Sequence, residues 1–215
     1  MTEKILLLHG LWLHPLAMRW MQQQFNAAGY ATIAPAYRSI SNNSAKNVEL
    51  IYTAVQQLAL PTERLHIVAH SLGGILALQM LSCHPDLPAG CLITLGTPVK
   101  GSLIAHRLAK SSFLRPLIGR SFEQGLDGRG LPTAVARQWG MLAGNKPIGV
   151  GQIFGGLSGV NDGVVALAET YHPAQTEHRI VPLSHSNLLF SRLVVQECLS
   201  FIQKGRFSSS PSAIN

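Results

Sequence analysis

The chain is 215 residues long, 47% apolar and only 13% charged, with a formal net charge of +7. Such a composition supports one substantial core, so residues 1–204 are expected to form a single domain and 205–215 (GRFSSSPSAIN) a flexible tail. The apolar run in MTEKILLLHG is too short for a secretory leader, and Cys83, Cys91 and Cys198 show no CxxC spacing. Both points favour a cytoplasmic protein with reduced thiols over a disulfide framework.

In chain order, short apolar runs predict strands at 5–8, 31–34, 65–69, 91–95, 150–154 and 179–183. Helical patterns lie between them at 15–28, 45–60, 73–83 and 102–111, with a last one at 186–202. Residues 65–85 carry no charge, so a membrane span has to be weighed. It would put His66, His70, Ser71, Gly73, Gly74 and Gln79 in hydrocarbon; a strand buried on both faces, then a helix that stops near Pro85, costs less. Strands alternating with helices of this length imply right-handed crossovers and a doubly wound, mostly parallel six-stranded α/β sheet.

In such sheets ligands bind beyond the carboxyl ends of the strands. The residues expected there are His9-Gly10-Leu11, His70-Ser71-Leu72, Gly96-Thr97-Pro98, Asn161-Asp162-Gly163 and Ser184-His185-Ser186. A serine, an aspartate and a histidine thus occur in that order at one edge. Attack by a serine on an acyl carbon needs a base to take its proton and a carboxylate to orient the imidazole. Asp127 is the main rival to Asp162, whereas Asp86 falls near the wrong edge. Among the other histidines, His66 and His178 fall at strand starts and His172 in a long loop, which leaves His185 in the right place; His9 and His70 suit structural roles in the loops. No histidine spacing suggests a metal site, and no cofactor is implied.

These residues carry a resemblance to the α/β-hydrolase superfamily, and within it to small bacterial lipases and esterases. AHSLGG is similar to the nucleophile elbow G-x-S-x-G, with Ala69 at the first glycine position. HGLW looks like the family's His-Gly loop, LGTPVKGS like the lipase segment after the next strand, and NDGVV and LSHSNLLFS like the loops bearing acid and histidine. The resemblance covers about 5–100 and 148–203. It implies a serine hydrolase acting on carboxylic esters through an acyl-enzyme, with Ser71 as nucleophile, Asp162 as acid, His185 as base, and the backbone N–H groups of Leu11 and Leu72 as oxyanion donors. A thioesterase or acyltransferase would use the same residues. A non-catalytic binding module on the same fold is the contrasting reading.

Residues 100–146 hold eight basic and two acidic side chains, six of the seven net positive charges. Leaving the sheet after strand four, this segment is expected to overhang the site as a basic cap or lid, with Phe113, Leu114, Leu117, Ile118, Phe122 and Trp139 beneath it. A solvated basic face is the plainer alternative. As a cap, it would favour an anionic small-molecule or lipid ester and leave peripheral membrane contact open. No nucleic-acid module or aromatic platform is present in the sequence, so nucleic acid is not expected as a partner.

Overall fold

The computed structural model describes residues 3–58 and 63–208. Six strands, β1 (Glu3–Leu8), β2 (Ala31–Ile33), β3 (Arg64–His70), β4 (Leu92–Leu95), β5 (Trp139–Gly144) and β6 (Glu177–Val181), form one sheet in the order β2-β1-β3-β4-β5-β6. Every neighbouring pair is parallel. The helices are α1 (Arg19–Ala27), α2 (Ser44–Leu58), α3 (Leu72–Cys83), α4 (Leu103–Lys110) and α5 (Arg192–Lys204), with short 3-10 turns between them.

Because side chains alternate along a strand, β1 feeds two cores. Leu6 and Leu8 pack with Ile51 of α2 and Leu76 and Met80 of α3 on one face. Ile5 and Leu7 pack with Met21 and Phe25 of α1 and Val194, Cys198 and Phe201 of α5 on the other. β3, at the centre, is buried from Leu65 onward. This two-sided burial explains why a continuous apolar run, rather than an alternating one, specifies the strand.

One strand lies elsewhere than the sequence predicts. The fifth strand is Trp139–Gly144, inside the segment expected as an insertion, whereas Val150–Gln152 is a single 3-10 turn in the loop that follows. The stretch between β4 and β5 is therefore 96–138, and Trp139 belongs to the core, its indole N–H donating to Thr94 Oγ1 at 2.8 Å. Gly140 is required there, since a Cβ would lie 2.7 Å from the Phe207 ring and 2.9 Å from that of Phe201. The start of the expected tail is also held. Gly205 closes α5 in the left-handed conformation, Phe207 is buried and its N–H donates to Glu177 Oε2 at 2.7 Å, and Ser208 N–H donates to Glu197 Oε2 at 2.8 Å. Residues 209–215, and the last two of the helix expected at 45–60, lie outside the described residues.

Candidate active site

Parallel strands bring their carboxyl ends to one edge, and there the predicted residues converge. Ser71 follows β3 immediately and caps α3, with φ 55° and ψ −123°. A side chain at positive φ is strained, and it persists because its surroundings hold it. Ser71 N–H donates to Leu95 O at 2.9 Å, and Ser71 O accepts from Gly74 N–H and from Thr97 Oγ1, both at 3.0 Å. Gly73 and Gly74 permit this packing. A Cβ at Gly73 would come 2.6 Å from His9 O, and one at Gly74 would come 2.1 Å from Thr97 Oγ1.

Asp162 lies in the loop between β5 and β6 and is buried. Its Oδ1 accepts from the N–H groups of Val164 (3.0 Å) and Val165 (2.7 Å), while Oδ2 meets His185 Nδ1 at 2.6 Å. His185 N–H also donates to Asp162 O at 2.8 Å. Two glycines make room for the pair. A Cβ at Gly144 would approach Asp162 Cβ to 2.8 Å, and one at Gly96 would lie 3.0 Å from both Asp162 Oδ2 and His185 Nδ1. Asp127, the alternative acid, instead accepts from Arg129 N–H.

Ser71, His185 and Leu11 line one cavity of about 340 Å³. Its walls are mainly apolar, with Leu13, Leu108, Val165 and Leu189 among them. Leu72 is the first residue of α3, and its side chain shares a buried cluster with Ile75, Ala105 and Leu126, against which Leu11 packs. The loop after β1 is fixed on several sides. Trp12 sits at φ 62° with its N–H on Ser39 Oγ, its indole N–H donates to Leu117 O, and the His9 ring stacks on Tyr37 at 3.9 Å. Burial lowers the pKa of His9.

The 96–138 stretch reaches this cavity through Pro98 and Ser102, through Ile104, Ala105 and Leu108 of α4, and through Ile118 and Leu126. Of the six side chains expected beneath a cap, only Ile118 lines it. Phe113 is 88% exposed, Leu117 is exposed, Leu114 and Phe122 pack beside Ile118, and Trp139 is in the core. The start of α4 is secured by Ser102, whose hydroxyl caps Ala105 N–H, and by Glu169, whose Oε1 accepts from Leu103 N–H at 2.6 Å. Arg107 ties the helix to the next loop by donating to Phe154 O and Gly156 O. Among the described residues, no three His, Cys, Asp or Glu side chains form a group able to hold a metal ion, and no helix is long and apolar enough to cross a membrane.

A hydroxyl on a strained strand-to-helix turn and an imidazole bonded to a buried carboxylate, both at one apolar cavity, can support acyl transfer. The model of the Alpha/beta hydrolase family matches residues 5–190. The chain is an α/β hydrolase. Three solved structures illustrate the likeness of this hydrolase to known folds. The mature form of the Bacillus licheniformis lipase BlEst2 is 23% identical, with a TM-score of 0.70 over 93% of this chain and 89% of that one. A structure reported for the metagenome-derived lipolytic enzymes LipS and LipT is 18% identical, with a TM-score of 0.67 over 94% and 95%. The metagenomic carboxyl esterase MGS0156 is 20% identical, with a TM-score of 0.66 over 85% of this chain and 64% of that one. At these identities the hydrolase shares the fold of these proteins. No curated protein matches it in sequence.

The sequence places Gly96 and Thr97 at the ligand-binding edge without giving either a task there, and it does not mark Gly144 at all. The glycines carry no chemistry, and only three-dimensional proximity shows what a methyl group there would displace.

Proposed function

We propose that this hydrolase cleaves carboxylic esters through an acyl-enzyme. Ser71 attacks the acyl carbon, His185 takes its proton and returns it to the leaving alcohol, and Asp162 holds the imidazole. The N–H groups of Leu11 and Leu72 receive the oxyanion. The observation that carries this reading is the 2.6 Å contact of His185 Nδ1 with Asp162 Oδ2. It leaves Nε2 as the other ring nitrogen of a residue that shares the cavity with Ser71. Leu72 N–H stands at the N-terminus of α3, where the helix dipole adds to the stabilisation of negative charge.

The apolar walls favour an aliphatic or aromatic acyl group, and a volume of about 340 Å³ is at the small end of ligand cavities. We infer that 96–138 acts as the cap of the site, since seven of its residues line the cavity. Its positive charge favours anionic substrates or an anionic lipid surface. Three free thiols, two of them buried, suit a reducing cytoplasm. The test is a fluorophosphonate probe, which labels an activated serine covalently. Rapid labelling of Ser71 is expected in the wild type, none at that position in Ser71→Ala, and turnover of esters above thioesters in a matched panel. Failure of Ser71 to label would remove the assignment and favour a binding module.

A further inference from the structure

Between the two residues just assigned lies a third whose chemistry the mechanism does not use. His70 is the last residue of β3, adjoins Ser71 in the chain, and is only 2% exposed. Its Nε2 lies 3.1 Å from the backbone carbonyl of His185, on the far side of the site in sequence. A carbonyl only accepts, so Nε2 carries the proton and Nδ1 holds a lone pair. Nδ1 is buried and has no hydrogen-bond partner among the described residues. Gly10 closes over it, such that a Cβ there would come within 3.0 Å.

A second proton on this ring would find no acceptor. It would also put charge on a buried group beside the His185 ring, at 4.6 Å between centroids, and near His9 at the end of β1. The carboxylate of the neighbourhood, Asp162, is bonded to His185 instead. Burial, reinforced by the two neighbouring imidazoles, holds His70 well below the usual histidine range. The ring is therefore held as a neutral donor, with its proton on Nε2.

The polar groups of His185 are then disposed in a telling way. Its N–H and its Nδ1 are both engaged by Asp162, and its carbonyl is engaged by His70. The carbonyl heads the peptide leading into the 3-10 turn Ser186–Leu189, so a loose carbonyl would let the backbone under the imidazole swing. We propose that His70 is a positioning residue that fixes the distance between nucleophile and base, by gripping the His185 backbone from the position adjoining Ser71. The proposal rests on the assignment of Ser71 and His185 above.

Three substitutions separate this role from simple packing. Phenylalanine keeps the ring and removes the donor. Glutamine carries an amide nitrogen about as far from the backbone as Nε2, and asparagine carries one only about as far as Nδ1. His70→Phe and His70→Asn are expected to lower kcat by roughly 10- to 100-fold, with KM changed less than about threefold, because misplacement by a fraction of an ångström acts on the reacting geometry. His70→Gln is expected to recover kcat to within about fivefold of wild type and to keep the acid limb of its pH profile in place, since His70 does not itself titrate there. Fluorophosphonate labelling rates should follow kcat through the series. If the phenylalanine protein does not fold, the glutamine and asparagine variants, which differ by one methylene, carry the comparison. Equal kcat across the series, or a glutamine variant no better than the asparagine one, overturns the proposal. Ser71→Ala is measured alongside: full activity there would overturn the assignment of function instead, whereas an inactive Ser71→Ala with a flat His70 series would overturn this inference alone.

Discussion

Gly96→Ala is a demanding perturbation because the structure separates its two effects. Gly96 sits at φ 56°, where a side chain costs about 1–2 kcal/mol of backbone strain. In a domain of this size that lowers Tm by about 2–8 °C. The added methyl would also stand 3.0 Å from Asp162 Oδ2, from His185 Nδ1 and from Leu188 Cδ1. These neighbours have to yield by a few tenths of an ångström, and two of them are the atoms of the 2.6 Å contact. If a displacement of 1 Å costs about 100-fold, a shift of this size costs roughly three- to tenfold in kcat. Gly29→Ala is the control. At φ 91° it bears at least comparable strain, beyond the end of α1, with no heavy atom within 4 Å of the new methyl. Thermal melts should fall in both variants, and kcat on an activated ester should fall only in Gly96→Ala. A Gly96→Ala protein with kcat within about twofold of wild type and the same loss of Tm as the control would refute the claim that this contact sets the rate.

Three further outcomes follow from the same geometry. Asp162→Asn should lower kcat by about 10³- to 10⁴-fold in steady-state kinetics, by removing the carboxylate that orients the imidazole, while Asp127→Asn should stay within about twofold of wild type. Burial depresses the pKa of His70 strongly and that of His9 less, so in this range the unfolded chain binds more protons than the folded one. Their stabilisation is present above the unfolded value of about 6.5 and is lost as pH falls through the folded values, so Tm should decrease on acidification and His70→Gln should flatten that decrease. An anionic ester should show a higher kcat/KM than its neutral analogue at low salt, and either 0.5 M sodium chloride (a Debye length of roughly 4–5 Å) or joint replacement of the exposed Lys110 and Arg120 by glutamine should shrink the difference. Arg107 is left in place in that experiment because it holds α4 to the 154–156 loop.

What the sequence made readable was the part of the site whose chemistry is carried by side chains at the ends of strongly apolar strands. β3 is an uninterrupted buried run, Ser71 follows it, and two glycines open the next helix, so strand, turn and helix are all legible locally. The pairing of Asp162 with His185 could be anticipated from chain order, and these two residues are in contact. β5 was hidden for a physical reason. WGMLAG contains two glycines that exist to admit Phe201, Phe207 and Asp162 from other elements, so its signal is tertiary rather than local. The apolar 150–154 run looks more like a strand. Yet Gly149 and Gly151 fold it against Gly163, and Ile153 is 78% exposed. For His70 a structural role in the loops is legible in the sequence, but its partner is not, because that partner is the backbone of a residue 115 positions away.

The central claim is that Ser71 carries the acyl group, and trapping that intermediate tests it most directly. The wild-type enzyme is mixed with an activated short-chain ester, quenched in acid within the first turnovers, digested and weighed by mass spectrometry. The mass of the acyl group is expected on the peptide containing Ser71 and to be absent from Ser71→Ala, with a burst of alcohol release stoichiometric with active enzyme. Acylation of another residue, or a Ser71→Ala protein that keeps more than about a tenth of wild-type turnover, would contradict it.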